Sequence, residues 1–285
     1  MKIQLIAQKD NTLIAEILSQ QPQLNFNIIK TALRKKDVKI NQKRQKSDVF
    51  VTKNDKIEIF LPEKKQKIID VVYQDDNILI AFKPAGIEVA TKDKTFTFTQ
   101  TLQEILNVTP CHRLDKNTEG LVVCAKNNLA YNQLLQAFKQ GNITKKYLAV
   151  VTGDVKQGTQ KLCAYLVKHG DKNYVEVFDS KVENSVKILT NYTLLNTFED
   201  CYLIEVELLT GKTHQIRAHL AHNKIYVVGD DKYGNKQYNK LVKVNKQQLC
   251  AYKLTFNFES TSMLNYLNGK TFMVEPTFKI TTKTL

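Results

Sequence analysis

A chain of 285 residues and 32.7 kDa, 42% of them hydrophobic, has room for one large folded domain, or a large one with a small companion, around a proper core. No apolar run approaches the roughly 20 residues that span a bilayer, and the opening MKIQLIAQKD lacks the apolar stretch of a signal peptide, so the sequence reads as soluble and cytoplasmic. The net charge of +14 points to a polyanionic partner, because each cation that neutralises a phosphate releases counterions.

Residues 1–62 read as a compact basic module. Thr12 to Ser19 and Asn25 to Leu33 are predicted as short helices, and Asp37 to Asn41 and Lys56 to Leu61 as strands, the second alternating through Ile57, Ile59 and Leu61. Eight cations lie between Lys30 and Lys46 against one acid, Asp37. A charge run can be a plain solvated face, but this one sits on a folded unit, which favours nucleic acid. Arg34, Lys35, Lys36, Lys39 and Arg44 are the candidate RNA contacts. The order helix, helix, KKDVKINQ and an Asn54-Asp55 turn into a strand resembles the small RNA-binding module first seen in a small-subunit ribosomal protein.

Glu63 to Lys67 reads as a charged linker, and residues 63–285 as the second domain. Strands are expected at Ile68 to Tyr73 and at Asn77 to Phe82, the latter ended sharply by Pro84 and Gly86. A helix is expected over Thr99 to Leu106, a buried strand over Leu121 to Ala125, and an amphipathic helix over Leu129 to Phe138 that stops at Gly141. Ile143 to Gly153 is a strand, hairpins follow through Asp179, and Val186 to Leu195 and Cys201 to Leu209 are further strands. Thr210-Gly211-Lys212 breaks the last of these, and Thr213 is placed to cap a helix carrying His214, Gln215, Ile216, Arg217 and His219. Val227 to Tyr233 and Leu249 to Phe256 look like strands, with one more short strand after Pro276. The fold class is α+β: a mixed, largely antiparallel sheet with few helices behind the basic module.

The chemistry concentrates in Cys111 to Lys126, CHRLDKNTEGLVVCAK, where His112, Arg113 and Asp115 precede a turn and a buried strand. Charge at the lip of a buried strand is costly to desolvate and so tends to have a partner or a task, although an Asp before a turn often only caps it. Of the 42 basic residues only Arg34, Arg44, Arg113 and Arg217 are arginine. In a chain that has drifted so far towards lysine, a retained arginine marks a place where a planar, permanently charged fork is needed. Five cysteines without a CxxC pair suggest neither a disulfide framework nor a zinc site, and His214 and His219, five apart, do not share a helical face, so no metal is expected.

Four stretches together resemble the RluA-type pseudouridine synthases: Lys83-Pro84-Ala85-Gly86, His112-Arg113-Leu114-Asp115 with Thr118 and Gly120, Lys145 and Tyr147 with Ala149 and Gly153, and Leu209 to His219, LTGKTHQIRAH. Gly229 to Gly234, GDDKYG, is most similar to the RluC-like branch acting on large-subunit ribosomal RNA. The resemblance implies an enzyme that breaks the bond between uracil nitrogen and ribose, turns the ring and rejoins it through carbon, with no cofactor. It implies Asp115 as the essential carboxylate, acting on ribose or base, and Arg217 as the bidentate guanidinium that keeps it charged and aimed. Tyr147 would stack on the extruded base, and Arg113 would fill the gap left in the RNA stack. Read singly, Tyr147 could be a core tyrosine with a satisfied hydroxyl, Arg217 a structural ion pair and Arg113 a phosphate contact. Lys212 stands where the family usually has Arg, and Cys250 where it often has His. Glu119 replaces the usual Ser and is expected to point outwards, away from Asp115. The competing functions are a transfer-RNA isomerase of the same family and a non-catalytic RNA-binding or ribosome-assembly protein; a glycoside hydrolase is set aside for want of a second facing carboxylate.

Overall fold

The computed structural model describes residues 2–22, 24, 26–61, 69–89, 97–170 and 174–280, and divides into two compact units, Met1–Ile68 and Ile69–Leu285. The charged linker expected at Glu63 to Lys67 lies outside the described residues, as do Asn25 and Ile68, the expected first residues of a helix and a strand.

The first unit runs β1 (Lys2–Ile6), β2 (Asn11–Thr12), α1 (Leu13–Gln20), α2 (Phe26–Arg34), β3 (Val38–Ile40), β4 (Lys43–Gln45), β5 (Phe50–Val51) and β6 (Lys56–Phe60). Leu13, Ile14 and Ile17 of α1 and Ile29, Ala32 and Leu33 of α2 recur at helical spacing and are buried against Val38, Ile57 and Ile59 of the antiparallel sheet β1-β6-β3-β4. Thr12 does not cap α1 with its side chain; the first-turn N–H of Ile14 is taken instead by Asp48 Oδ1 at 2.9 Å.

The second unit runs β7 (Asp70–Gln74), β8 (Ile78–Lys83), α3 (Phe98–Leu106), β9 (Thr109–Pro110), β10 (Glu119–Ala125), α4 (Asn128–Gln140), β11 (Ile143–Gly153), β12 (Thr159–His169), β13 (Tyr174–Phe178), β14 (Val186–Thr197), β15 (Tyr202–Leu208), α5 (Gln215–His222), β16 (Ile225–Val227), α6 (Lys236–Leu241), β17 (Leu249–Phe256) and β18 (Thr271–Met273). These strands form one sheet in the order β13-β12-β14-β15-β11-β17-β10-β8-β7, with β16 on β11, β18 on β17 and β9 on β10. The architecture is α+β with a largely antiparallel sheet.

Alternation along β8 and β10 sends successive side chains to opposite faces. Ile78, Ile80, Leu121 and Val123 meet Ala130, Leu134 and Ala137 of α4 on one face, while Leu79, Ala81, Val122 and Cys124 join Leu102 of α3 and Ile216 and Leu220 of α5 on the other. Helix ends follow their local chemistry. Thr97 and Gln100 cap the start of α3 reciprocally, each side chain accepting from the other's backbone N–H at 3.2 and 3.1 Å. Asn127 Oδ1 accepts from Ala130 N at the start of α4, and Gly141, at φ +79°, ends it.

Two expectations are corrected. Val227 to Tyr233 is not a strand: β16 ends at Val227, and Gly229 (φ +75°) and Gly234 bracket a turn in which the Asp230 carboxylate accepts from the N–H groups of Lys232 and Tyr233. Thr213 does not cap α5. His214 occupies that position in the left-handed region at φ +54°, and the chain before it is tied by Gln215 Oε1, which accepts from Thr210 Oγ1 and Lys212 N. Among the described residues the last strand is β18, before Pro276; a strand expected after Pro276 does not occur within residues 277–280, and residues 281–285 lie outside the described ones. No helix among the described residues is long and apolar enough to cross a membrane.

Candidate active site

Among the described residues the one parallel pairing in the large sheet, β10 beside β17, fixes where the Asp115 loop sits. Glu119 lies opposite Cys250 and Gly120 opposite Ala251, with Gly120 at φ +121°. A Cβ on Gly120 would stand 2.3 Å from the Ala251 carbonyl oxygen, so only glycine lets the strands approach this closely. The loop before β10 is pinned from below by Lys83. Its buried Nζ donates to the carbonyls of Pro84, Ile87 and Lys116 at 3.0, 2.8 and 3.1 Å, while Gly86 N also donates to Lys116 O. Burial pushes the Lys83 pKa down to about 8, with the charges of Asp115 and Glu119 pulling the other way.

So held, Asp115 presents its carboxylate to α5. Thr118 N donates to the main-chain oxygen of Asp115, which leaves the carboxylate free of the turn. Arg217 Nη1 donates to Asp115 Oδ2 at 3.0 Å. The same guanidinium donates from Nε to Asp230 Oδ2 at 2.6 Å and from Nη2 to Asp230 Oδ1 at 2.9 Å. The bidentate partner of Arg217 is therefore Asp230, and its contact with Asp115 is single, contrary to expectation. Asp230 is fully buried, Arg217 nearly so, and the Asp115 side chain 19% exposed. Burial raises the Asp230 pKa, but Arg217 and two backbone N–H groups outweigh it and hold the carboxyl below its usual value. The guanidinium also lies over the Tyr233 ring at 5.2 Å, and the Tyr233 hydroxyl meets His214 Nδ1 and the N–H of Val175.

A cavity of about 650 Å³ opens over this pair, within the range of sites that enclose a small molecule. His112, Arg113, Asp115, Tyr147 and Arg217 all line it. Tyr147 is buried on β11, and its hydroxyl makes no hydrogen bond to any described residue, unlike a core tyrosine with a satisfied hydroxyl. Burial, then the charge of Asp115 and Cys250, raises its pKa. Arg113 is exposed at the rim. His112 Nε2 accepts from Val123 N at 2.9 Å, and burial with Lys145 nearby pushes its pKa to about 3, so the ring is neutral and braces the loop. Glu119 lies outside the cavity lining, as expected, but does not face solvent. It is buried, and its carboxylate accepts from the N–H and hydroxyl of Thr277.

The sequence reading brought Asp115, Arg113, Tyr147 and Arg217 to one place but missed Asp230 and gave Lys83 no role. The signal for Asp230 was an acid between two glycines in GDDKYG, a turn pattern rather than a strand. No three His, Cys, Asp or Glu side chains among the described residues converge as a metal site would require.

The class that fold and site define is borne out by comparison. Residues 77–222 match the family model described as RNA pseudouridylate synthase, and the chain belongs to that family. Among curated relatives, ribosomal large subunit pseudouridine synthase C of Rickettsia felis is 30% identical over 267 residues, covering 84% of this chain and 87% of the relative. Ribosomal large subunit pseudouridine synthase D of Buchnera aphidicola is 33% identical over 208 residues, covering 66% and 65%. The fold is shared with human RNA pseudouridylate synthase domain containing 1, at a TM-score of 0.60 and 20% identity over 77% of this chain and 94% of that one.

In the first unit, Arg34, Lys35, Lys36 and Arg44 are exposed. Lys39 is half-buried, pairs across the β3–β4 ladder with Arg44, and carries its Nζ over the Phe60 ring at 5.2 Å. These cations end α2 and occupy neighbouring strands of one small sheet.

Proposed function

We propose that this chain is a cytoplasmic enzyme that isomerises uridines of large-subunit ribosomal RNA to pseudouridine. The substrate follows the names of the synthase C and D relatives, and the observation that carries the mechanism is the 3.0 Å contact between a partly exposed Asp115 and a buried Arg217 at the floor of the cavity. The uridine swings out of its stack into the cavity, and Tyr147 takes the uracil face while Arg113 occupies the space the base has left. The Asp115 carboxylate, aimed by Arg217, attacks ribose or base and forms a transient bond to it; the C1′–N1 bond breaks, the freed ring turns, C1′ bonds to C5, the bond to Asp115 breaks to return the free carboxylate, and the C5 proton is lost while N1 gains one. No cofactor enters this balance. The basic face of the first unit, with Arg34, Lys35, Lys36, Lys39 and Arg44, supplies sequence-independent attraction to RNA phosphates.

Asp115→Asn preserves the size of the side chain and removes the nucleophile. Pseudouridine formation in unmodified ribosomal RNA should vanish while RNA affinity stays within about threefold, since the phosphate contacts are untouched. Undiminished pseudouridine in that variant would overturn the assignment. Mapping pseudouridines in RNA from cells lacking the chain identifies the target positions.

A further inference from the structure

Two adjacent lysines on β11 have opposite fates. Lys146 lies opposite Glu207 across the β11–β15 ladder, on the face away from Tyr147, and its Nζ is neutralised by Glu205 Oε1 at 2.6 Å. Alternation puts Lys145 on the same face as Tyr147, where it lines the cavity. Its Nζ sits over the Phe138 ring at 5.4 Å, and so close to Gly211 that a Cβ there would stand 3.3 Å away. No described carboxylate lies within ion-pair reach of it. The two acids of the lining are otherwise engaged: Asp115 accepts from Arg217, and Glu207 accepts from Asn191 Nδ2 at 3.3 Å.

A half-buried ammonium without an anion carries a desolvation cost that a ligand anion would relieve. Burial duly lowers the Lys145 pKa. Two more cations, Lys139 and Lys212, are exposed along the same wall, so this side of the cavity has positive charge to spare while the Asp115 side does not. We propose that Lys145 is a phosphate-binding residue, holding one backbone phosphate of the extruded nucleotide while Tyr147, two residues along the same strand, holds its base. This rests on the reading above that the cavity receives a swung-out uridine. A phosphate fixed at Lys145 and a base fixed at Tyr147 hold the nucleotide at two points, which limits how the intervening ribose can lie against Asp115. Lys139 and Lys212 then face the flanking phosphates from the rim.

The test measures affinity for unmodified large-subunit ribosomal RNA against salt, in an Asp115→Asn background so that turnover plays no part. With Lys145→Met, which keeps the aliphatic stem against Phe138, binding at 0.1 M KCl should weaken several-fold, and the slope of log affinity against log salt should fall by about 0.7–0.9, the loss of one phosphate contact. Lys145→Arg should restore both, and Lys146→Met should change neither. Thermal melting checks that each variant is folded, and Lys145→Gln serves if the methionine variant is not. Weakened binding with an unchanged slope would overturn the proposal in favour of a neutral contact, such as a uracil carbonyl; unchanged binding would overturn it outright. Absence of pseudouridine formation by the wild-type chain would count against the functional reading instead, and leaves the salt slope to be judged separately.

Discussion

Arg217 gives two of its donors to Asp230, at 2.6 and 2.9 Å, and one to Asp115, at 3.0 Å. The buried acid thus fixes the plane of the guanidinium, and the exposed acid meets what is left. Asp230 is fixed in turn by the N–H groups of Lys232 and Tyr233, so the geometry at Asp115 is set by a turn more than a hundred residues away. The cation is shared further, since Asp231 Oδ1 lies 3.8 Å from Arg217 Nη2.

Asp230→Asn tests this directly. The amide keeps the shape but loses the charge and one acceptor, so Arg217 can turn towards Asp115 or away from it. A buried cation losing its main partner costs about 3–5 kcal/mol, and misplacement by about 1 Å lowers kcat about a hundredfold. Urea unfolding and single-turnover kinetics read the two effects. A folded variant with wild-type kcat would show that Asp115 alone positions Arg217.

How much of this was legible in the sequence depends on what each residue answers to. Arg217 and Asp115 stood out because arginine is scarce here and their neighbours form recognisable motifs, and β10 was readable because every one of its residues is buried. Asp230 escaped because Val227 to Tyr233 contains enough β-branched and aromatic residues to look like a strand, whereas two glycines and the Asp230 side chain make it a turn. The burial of Glu119 escaped because its partner, Thr277, is 158 residues distant and offers a backbone N–H that no pattern announces. The α5 start was misread for a related reason: Gln215, rather than Thr213, satisfies the preceding loop.

Gly120 is predicted to tolerate no side chain. At φ +121°, with backbone atoms of Ala251 at 2.3–2.7 Å from any added Cβ, Gly120→Ala must both strain its own backbone and push β17 away. A destabilisation of about 3 kcal/mol or more is expected, with loss of activity because the Asp115 loop moves with β10. The measurement is the urea midpoint beside that of Gly158→Ala, where an added Cβ meets nothing within 4 Å. Equal losses at the two positions would contradict the close-approach argument.

Acid should weaken the fold through His219. The ring is fully buried, its Nδ1 meets Thr190 Oγ1 at 3.0 Å, and burial, reinforced by His222, pushes its pKa from 6.5 to about 4. Below pH 6.5 the unfolded chain takes up a proton that the folded chain refuses, so stability falls as pH drops and levels off near pH 4. The slope is at most about 1.4 kcal/mol per pH unit, or about 3 kcal/mol across the window. Relative to His219→Gln, the wild-type protein should lose that much between pH 6.5 and 4, read from urea curves at each pH. Parallel pH profiles for the two proteins would sink the assignment.

Tyr147 offers its ring and its hydroxyl to different tests. The hydroxyl has no partner among the described residues, so Tyr147→Phe should leave stability within about 0.5 kcal/mol of wild type. If the ring's task is to stack on the swung-out uracil, the phenylalanine variant should also keep RNA affinity, while Tyr147→Leu, of similar hydrophobicity but without a π face, should lose about 1–3 kcal/mol of binding. The split matters for the chemistry. A phenylalanine variant that binds RNA normally but turns over more slowly would place the hydroxyl, held protonated by burial and the neighbouring Asp115 charge, within reach of the moving proton or the turning base. Comparing affinity in an Asp115→Asn background with single-turnover rates in the active enzyme separates the two roles, and equal affinity for the leucine and phenylalanine variants would remove stacking from the account.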